Sequence, residues 1–489
     1  MVVVRCVVFG ATGYIGGRLV PELLRAGHSV RVLARTPGKL AEAPWRDRVE
    51  VVRGDVTAAE DVRAALAGQE VLYYLVHSLK RADFETVDRD AATLVAAAAA
   101  SANLTRIVYL GGIVPTGQKL SRHLASRAEV GRILLDGSVP ALVLQAAVII
   151  GSGSASFEML RYLTERLPIM VTPRWVRNRI QPIAVRDVLY YLTEAARLPS
   201  GVGGVFDIGG PDVLTYVRMM RGYATVAQLP RRVIVPVPVL TPWLSAQWVN
   251  LVTPVPSAIA VPLMESLIND VVCRDHAVAE HIPDPPRGLT GYEQAVALAL
   301  QKTRDLDVPT RWSDADPHGA PSDPLPTDPD WSGGSVYQDV RELHTRSDPS
   351  TLWQVIEAIG GEHGWYSFPL AWSLRGWIDR VAGGVGLGRG RRDPHRLHEG
   401  EALDWWRVER IERPTMLRLR AEMRVPGRAW LELSVEPDGS GATYRQRALF
   451  EPHGLAGHLY WKSIAPFHAV IFGGMARNIT GAAESARPQ

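Results

Sequence analysis

Three glycines that follow an apolar run constrain this chain more than any other feature. Val4 to Phe9 leads into Gly10-Ala11-Thr12-Gly13-Tyr14-Ile15-Gly16. The run reads as a strand, and Leu19, Val20, Leu23 and Leu24 then recur at helical spacing up to Gly27. Gly10 allows the tight turn out of the strand, Gly13 lets backbone approach a pyrophosphate, and Gly16 lets the helix pack closely. The helix N-terminus, with its unpaired N–H groups, then faces the phosphates. Gly10, Thr12, Gly13, Tyr14, Ile15 and Gly16 are therefore the expected dinucleotide-binding turn.

At 489 residues the chain exceeds one ordinary core, and two or three domains are expected. His28 to Arg35, Val49 to Val56, Val71 to Val76, Arg106 to Leu110 and Ala141 to Gln145 read as further strands. Helical stretches such as Ala91 to Ala102 separate them. Strands alternating with helices specify a doubly wound parallel sheet. The first domain is expected over 1–305, with a substrate-facing lobe from about 150 to 305. Residues 306–334 are rich in Pro, Asp, Ser and Gly, the composition of a linker or a draped loop.

A different pattern fills 335–489. Val336 to Thr345 reads as a strand, and Asp348-Pro349 supplies an N-cap and a first helical position before Leu352, Trp353, Val355 and Ile356. Leu417, Leu419, Ala421 and Met423 alternate with Arg418, Arg420 and Glu422, as in an antiparallel strand with one wet face. Tyr460, Ile464, Phe467, Ile471 and Met475 recur at helical spacing and predict the buried face of a closing helix of about twenty residues.

Composition excludes several classes. Lys and Arg total 54 against 51 Asp and Glu, interspersed, so no nucleic-acid footprint is expected. Only Cys6 and Cys273 occur, which argues for a reducing, cytoplasmic setting and against a disulfide frame. Val233 to Pro262 carries no charge, but six prolines interrupt it, so no transmembrane segment is expected. It reads as the apolar wall of a pocket, with Trp243 and Trp248, or as a surface that makes peripheral contact with a membrane. Gly383 to Arg392 reads as a loop at a cavity mouth. His395, His398 and Glu399 lack a further paired-histidine motif, and no metal is expected.

With Arg35, Asp55-Val56 and Tyr109-Leu110-Gly111-Gly112 beside the glycine turn, residues 1 to about 305 resemble the atypical, extended-type short-chain dehydrogenase/reductases. That resemblance implies a Rossmann-like α/β sheet with a small substrate lobe and an NAD(P) cofactor. From about 335 the order strand, helix, sheet and long C-terminal helix resembles the START-like proteins, an α+β helix-grip domain enclosing an apolar cavity. A cavity lined by Trp353, Trp365, Trp372, Trp377, Trp405, Trp406, Trp430 and Trp461 would accept an apolar ligand, although core packing is their default role. Arg35, where an acidic residue would bond the ribose hydroxyls of NAD, suits a 2′-phosphate, with Lys39 one turn later. NADP is expected over NAD. The resemblance also implies that Asp55 contacts adenine, that Val56 packs the ring, and that Val76 and His77 meet the nicotinamide ribose.

The serine, tyrosine and lysine that the same resemblance implies for catalysis do not align. The fifth strand ends in Gly111-Gly112, and the following helix reads Ser121-Arg122-His123-Leu124-Ala125-Ser126-Arg127. His123 and Arg127 stand four apart, on one helix face. In one reading His123 titrates near neutrality as general acid and Arg127 binds the nicotinamide ribose, with Ser121 and Ser126 as substitute hydroxyls. In the other, His123 lines a site that no longer reduces anything. The leading expectation is an NAD(P)-dependent oxidoreductase acting on a small hydrophobic carbonyl or quinone-like substrate. The alternatives are a non-catalytic NADP(H) redox sensor and a lipid or quinone carrier.

Overall fold

Along Arg5–Phe9 (β1), Cys6 and Val8 point to one face and Val7 and Phe9 to the other, and all four are fully buried. A strand apolar on both sides needs helices on both sides. The computed structural model describes residues 3–41, 43–78, 83–115, 117, 120–237, 252–266, 268–305, 328, 333, 335–360, 365, 396–423, 425–439 and 441–486. They divide into two compact units, Met1–Gly334 and Ser335–Gln489.

In the first unit β1 is followed by Tyr14–Arg25 (α1), Ser29–Ala34 (β2), Glu50–Arg53 (β3), Ala59–Leu66 (α2), Val71–Tyr74 (β4) and Phe84–Ser101 (α3). Arg106–Gly112 (β5), Arg122–Leu135 (α4) and Ala141–Ala146 (β6) continue the alternation. The lobe then runs through Ile149–Ile150 (β7), Ala155–Arg166 (α5), Ile169–Pro173 (β8), Arg179–Ile180 (β9) and Ile183–Ala184 (β10). After it come Val185–Ala195 (α6), Gly204–Ile208 (β11), Leu214–Thr215 (β12), Tyr216–Val226 (α7), Val233–Val237 (β13), Ser257–Ser266 (α8) and Tyr292–Asp305 (α9).

Seven parallel strands form the central sheet in the order β11-β6-β5-β4-β1-β2-β3. Leu19, Val20 and Leu23 of α1 and Val188, Leu189 and Leu192 of α6 cover one face. Val62 of α2, Ala92 and Val95 of α3 and Leu134 of α4 cover the other. The doubly wound α/β sheet expected from the alternation is present. Its order reverses between β1 and β4, which opens a crevice at the strand ends there. The lobe has its own core of Phe157, Leu160, Met219, Tyr223 and Val296. Among the described residues no helix is long and apolar enough to cross a membrane. Val233 to Val237 is a strand; residues 238–251, with Trp243 and Trp248, lie outside the described residues.

The Pro/Asp-rich stretch reads as a linker or a draped loop, and two of its residues are fixed to the rest of the first unit. Arg18 donates from Nη1 and Nη2 to both carboxylate oxygens of Asp328, at 2.7 and 2.6 Å, and the two side chains are 2% and 5% exposed. The Gly333 N–H donates to Glu158 Oε1 at 3.1 Å. A buried guanidinium is stabilised by a paired carboxylate, and Asp328 supplies one.

In the second unit Tyr337–Thr345 (β14), Pro349–Glu357 (α10), Ala402–Leu403 (β15), Trp406–Glu412 (β16), Met416–Ala421 (β17), Gly427–Asp438 (β18), Gly441–Pro452 (β19) and Gly454–Ser485 (α11) follow in order. The antiparallel sheet runs β14-β19-β18-β17-β16-β15. Asp348 caps α10 as its position predicts, accepting from the N–H groups of Ser350 and Thr351. The closing helix has 32 residues, longer than expected, and Phe467 is 67% exposed. The buried stripe is Phe472, Met475, Ala476, Ile479 and Ala483. The first half of α11 is apolar on every side, so periodicity there does not single out one face. Trp353, Trp365, Trp405 and Trp406 belong to the core, with Trp365 stacked 5.6 Å from Trp405. Trp372, Trp377, the Gly383 to Arg392 stretch and His395 lie outside the described residues.

Removing the carboxylate by Asp328→Ala takes the ion pair from the buried Arg18 guanidinium, which costs about 3 kcal/mol. Urea denaturation of the two proteins checks this; an unchanged midpoint would show that the pair contributes nothing.

Candidate active site

The turn after β1 is set by what its glycines exclude. Gly10 has φ +95°, and a Cβ there would lie 2.6 Å from the Leu75 carbonyl oxygen at the end of β4. A Cβ on Gly16 would lie 2.2 Å from the Gly10 oxygen. Gly13 precedes α1 with no side-chain cap bond and is exposed, so the first N–H groups of the helix stay available. This is the geometry an anionic pyrophosphate needs.

A cavity of about 270 Å³ opens beside this turn. Gly13, Tyr14, Ile15 and Gly16 line it from the turn, Leu75, Val76 and His77 from the end of β4, and Gly111 and Gly112 from the end of β5. His123 and Arg127 project into it from α4. The lobe closes it with Val148, Ser154, Leu263, Ser266 and Val271. Gly10, Thr12, Arg35, Asp55 and Val56 are not part of its wall. Arg35 is 76% exposed after β2, with Nη1 4.0 Å from the Asp55 carboxylate. Asp55 in turn accepts from Thr57.

Burial decides the state of the polar groups. His123 is 6% exposed, and desolvation, then the Arg127 charge and His77, pushes its pKa down to about 2. The expectation that it titrates near neutrality is therefore corrected: at neutral pH it is a neutral imidazole, with one donor and one acceptor nitrogen. Arg127 donates from Nη1 to the Leu110 carbonyl at 3.2 Å, and its own carbonyl accepts from the Tyr109 hydroxyl at 3.3 Å. Burial pushes the Tyr109 phenol up. Ser121 is the N-cap of α4, accepting from the Leu124 N–H and lying 3.3 Å from Ser266 Oγ. Ser126 is buried, and its Oγ has no partner among the described residues.

Sequence reading missed Asp88 on α3. It is 8% exposed; burial pushes its carboxyl up, while Ser78 hydrogen bonds and the Arg127 charge oppose that. α3 carries Glu85 and Asp90 besides Asp88, so its sequence does not single out the buried acid. It also missed β11, whose five residues carry a buried Asp207 bound to the Arg274 backbone and guanidinium.

Residues 10–136 match the family model described as NAD(P)H-binding, and residues 331–475 match one described as a protein of unknown function, DUF2867. Over 296 residues the chain is 27% identical to ceramide reductase of Caulobacter vibrioides, covering 59% of this chain and 92% of that relative. It is 23% identical over 311 residues to NADH dehydrogenase (ubiquinone) 1 alpha subcomplex subunit 9, mitochondrial, of Arabidopsis thaliana, covering 60% and 77%. Triphenylmethane reductase of a Citrobacter sp. shares the fold at a TM-score of 0.50 and 18% identity, covering 61% of this chain and 99% of that one. The first unit has a Rossmann-like fold, and its residues 10–136 are similar to NAD(P)H-binding domains. The second unit matches DUF2867 where the sequence pattern resembles START-like proteins.

A histidine held below its ordinary value of 6.5 makes stability depend on pH. The unfolded chain binds the extra proton, so the contribution is fully present above pH 6.5 and is lost as pH falls towards the folded value. The loss reaches about 1.4 kcal/mol per pH unit at most. His123→Gln should remove that part of the acid slope in urea denaturation between neutral and mildly acidic pH. Parallel profiles for the two proteins would mean that His123 titrates as an ordinary imidazole.

Proposed function

We propose that the first unit is an NADPH-dependent reductase of a small hydrophobic carbonyl or quinone-like compound. The supporting observation is that one largely apolar cavity is lined both by the glycine turn and by His123 and Arg127. Gly10, Thr12, Gly13, Tyr14, Ile15 and Gly16 would hold the pyrophosphate, Asp55 and Val56 the adenine, and Val76 and His77 the nicotinamide ribose. Arg35 favours NADP through its charge at the 2′ position. A nicotinamide bound there supplies a hydride.

His123, being neutral, polarises a substrate oxygen by donating its single N–H rather than by releasing a proton. The Arg127 guanidinium stabilises negative charge that develops on that oxygen. A guanidinium carries five N–H donors, and the bond to Leu110 uses one. Asp88, through its field on Arg127, is a positioning residue. The described walls Val148, Leu263 and Val271 exclude water from the reacting atoms.

The second reading, a redox sensor, is favoured by two observations: His123 is a neutral imidazole at neutral pH, and α4 offers no tyrosine and lysine to deliver a proton. Oxidation of NADPH with a panel of quinones and aldehydes separates the two. Turnover is expected, and tight NADPH binding with no acceptor reduced would establish the sensor instead.

His123→Ala should lower kcat roughly a hundredfold or more, as for loss of one oxyanion donor, with NADPH affinity unchanged. Wild-type turnover in that variant would sink the assignment. Arg35→Asp should raise the Kd for NADPH on the order of tenfold while leaving the Kd for NADH nearly constant. Equal effects on both nucleotides would refute the 2′-phosphate role.

A further inference from the structure

We propose that the β8–β13 ribbon of the lobe docks this protein on an anionic lipid surface. Among the described residues the two strands pair in parallel and only with each other, Ile169 beside Val233 and Val171 beside Val235. Their side chains are 66%, 52%, 54% and 47% exposed, whereas the alternating Met170 and Ile234 pack into the lobe core. Four β-branched aliphatics on adjacent rungs form a continuous apolar face, which a water-facing ribbon ordinarily avoids.

The charges within the segments that flank the two strands are all of one sign. Residues 166–180 contain Arg166, Arg174, Arg177 and Arg179 and no acid, and residues 229–237 contain Arg231 and Arg232 and no acid. Arg166 bonds the Val252 carbonyl, Arg232 is buried against Thr164 and Pro230 carbonyls, and Arg179 pairs with Asp270. Arg174, Arg177 and Arg231 are exposed and make no ion pair among the described residues. Arg174 and Arg177 lie on the helical turn that directly follows β8, and Arg231 stands two residues before β13.

Aliphatic side chains ringed by unpaired arginines complement an anionic leaflet, where the chains enter the interface and the cations meet headgroups. A second copy of this chain fits poorly, because a two-fold contact would set the same three cations against themselves. The sequence that leaves β13 keeps the same character: no charge occurs from Val233 to Met264, and Trp243 and Trp248 fall within that span. Tryptophan favours the membrane–water interface.

The test floats the purified 489-residue chain with vesicles of phosphatidylcholine alone or of phosphatidylcholine with phosphatidylglycerol. Association with the anionic vesicles alone, weakening with salt, is expected. The double change Val171→Ser and Val235→Ser, and separately Arg174→Gln with Arg177→Gln and Arg231→Gln, should each lower partitioning roughly tenfold or more. NADPH affinity stays at the wild-type value in both variants, which verifies their fold. Three results would overturn the proposal: no association with anionic vesicles, equal partitioning of wild type and both variants, or a dimer in sedimentation that Val235→Ser dissolves.

Discussion

The first unit's nucleotide chemistry depends on one backbone contact, the seat of Gly16 on the carbonyl of Gly10. Neither residue tolerates a side chain: one Cβ would meet the Gly10 oxygen at 2.2 Å and the other the Leu75 oxygen at 2.6 Å. The turn is thus clamped between α1 and the end of β4, at the point where the strand order reverses. Because both neighbours are backbone, no rotamer change relieves a clash, and the position of the helix N-terminus is fixed to within a fraction of a side chain. The cavity wall at Gly13 to Gly16 inherits that position.

Within that frame, dehydration rather than residue identity decides what the side chains do. A histidine and an arginine four apart suggest an acid and its helper, but His123 is buried beside a permanent cation and is neutral. The same burial raises the Asp88 carboxyl and the Tyr109 phenol. The site therefore combines a guanidinium with an imidazole and a phenol that burial keeps neutral.

The sheet was legible because its signals are local: apolar runs of strand length, glycines where the chain turns, and helices between them. β2 and β5 fall within a residue or two of their sequence readings. The Asp348 cap was legible for the same reason. What escaped depends on distant partners. β11 is short and holds a buried aspartate whose partner is Arg274, far along the chain. Asp328 looks like one more linker acid until Arg18, 310 positions away, is seen to receive it. The neutrality of His123 is invisible in sequence because it arises from burial. The exposed face of α11 failed for the opposite reason, since its local apolar pattern is too uniform to choose a side.

The helix that carries the nucleotide turn also carries the anchor of the linker stretch, one turn further on. The Arg18 guanidinium lies 4.1 Å over the Tyr14 ring, accepts no water-facing position, and bonds the Tyr14 carbonyl at 3.2 Å as well as Asp328. Tyr14 itself is a wall of the cavity, and its hydroxyl is buried against Gly151 without a partner among the described residues. An unsatisfied phenol costs about 1–3 kcal/mol, and it persists because the cation–π contact and the ion pair hold the ring from the other side. Asp328 is thus joined to the cavity wall through two side chains and one helical turn. In this unit the acid that neutralises Arg18 and the ring that shapes the nucleotide pocket form a single buried assembly.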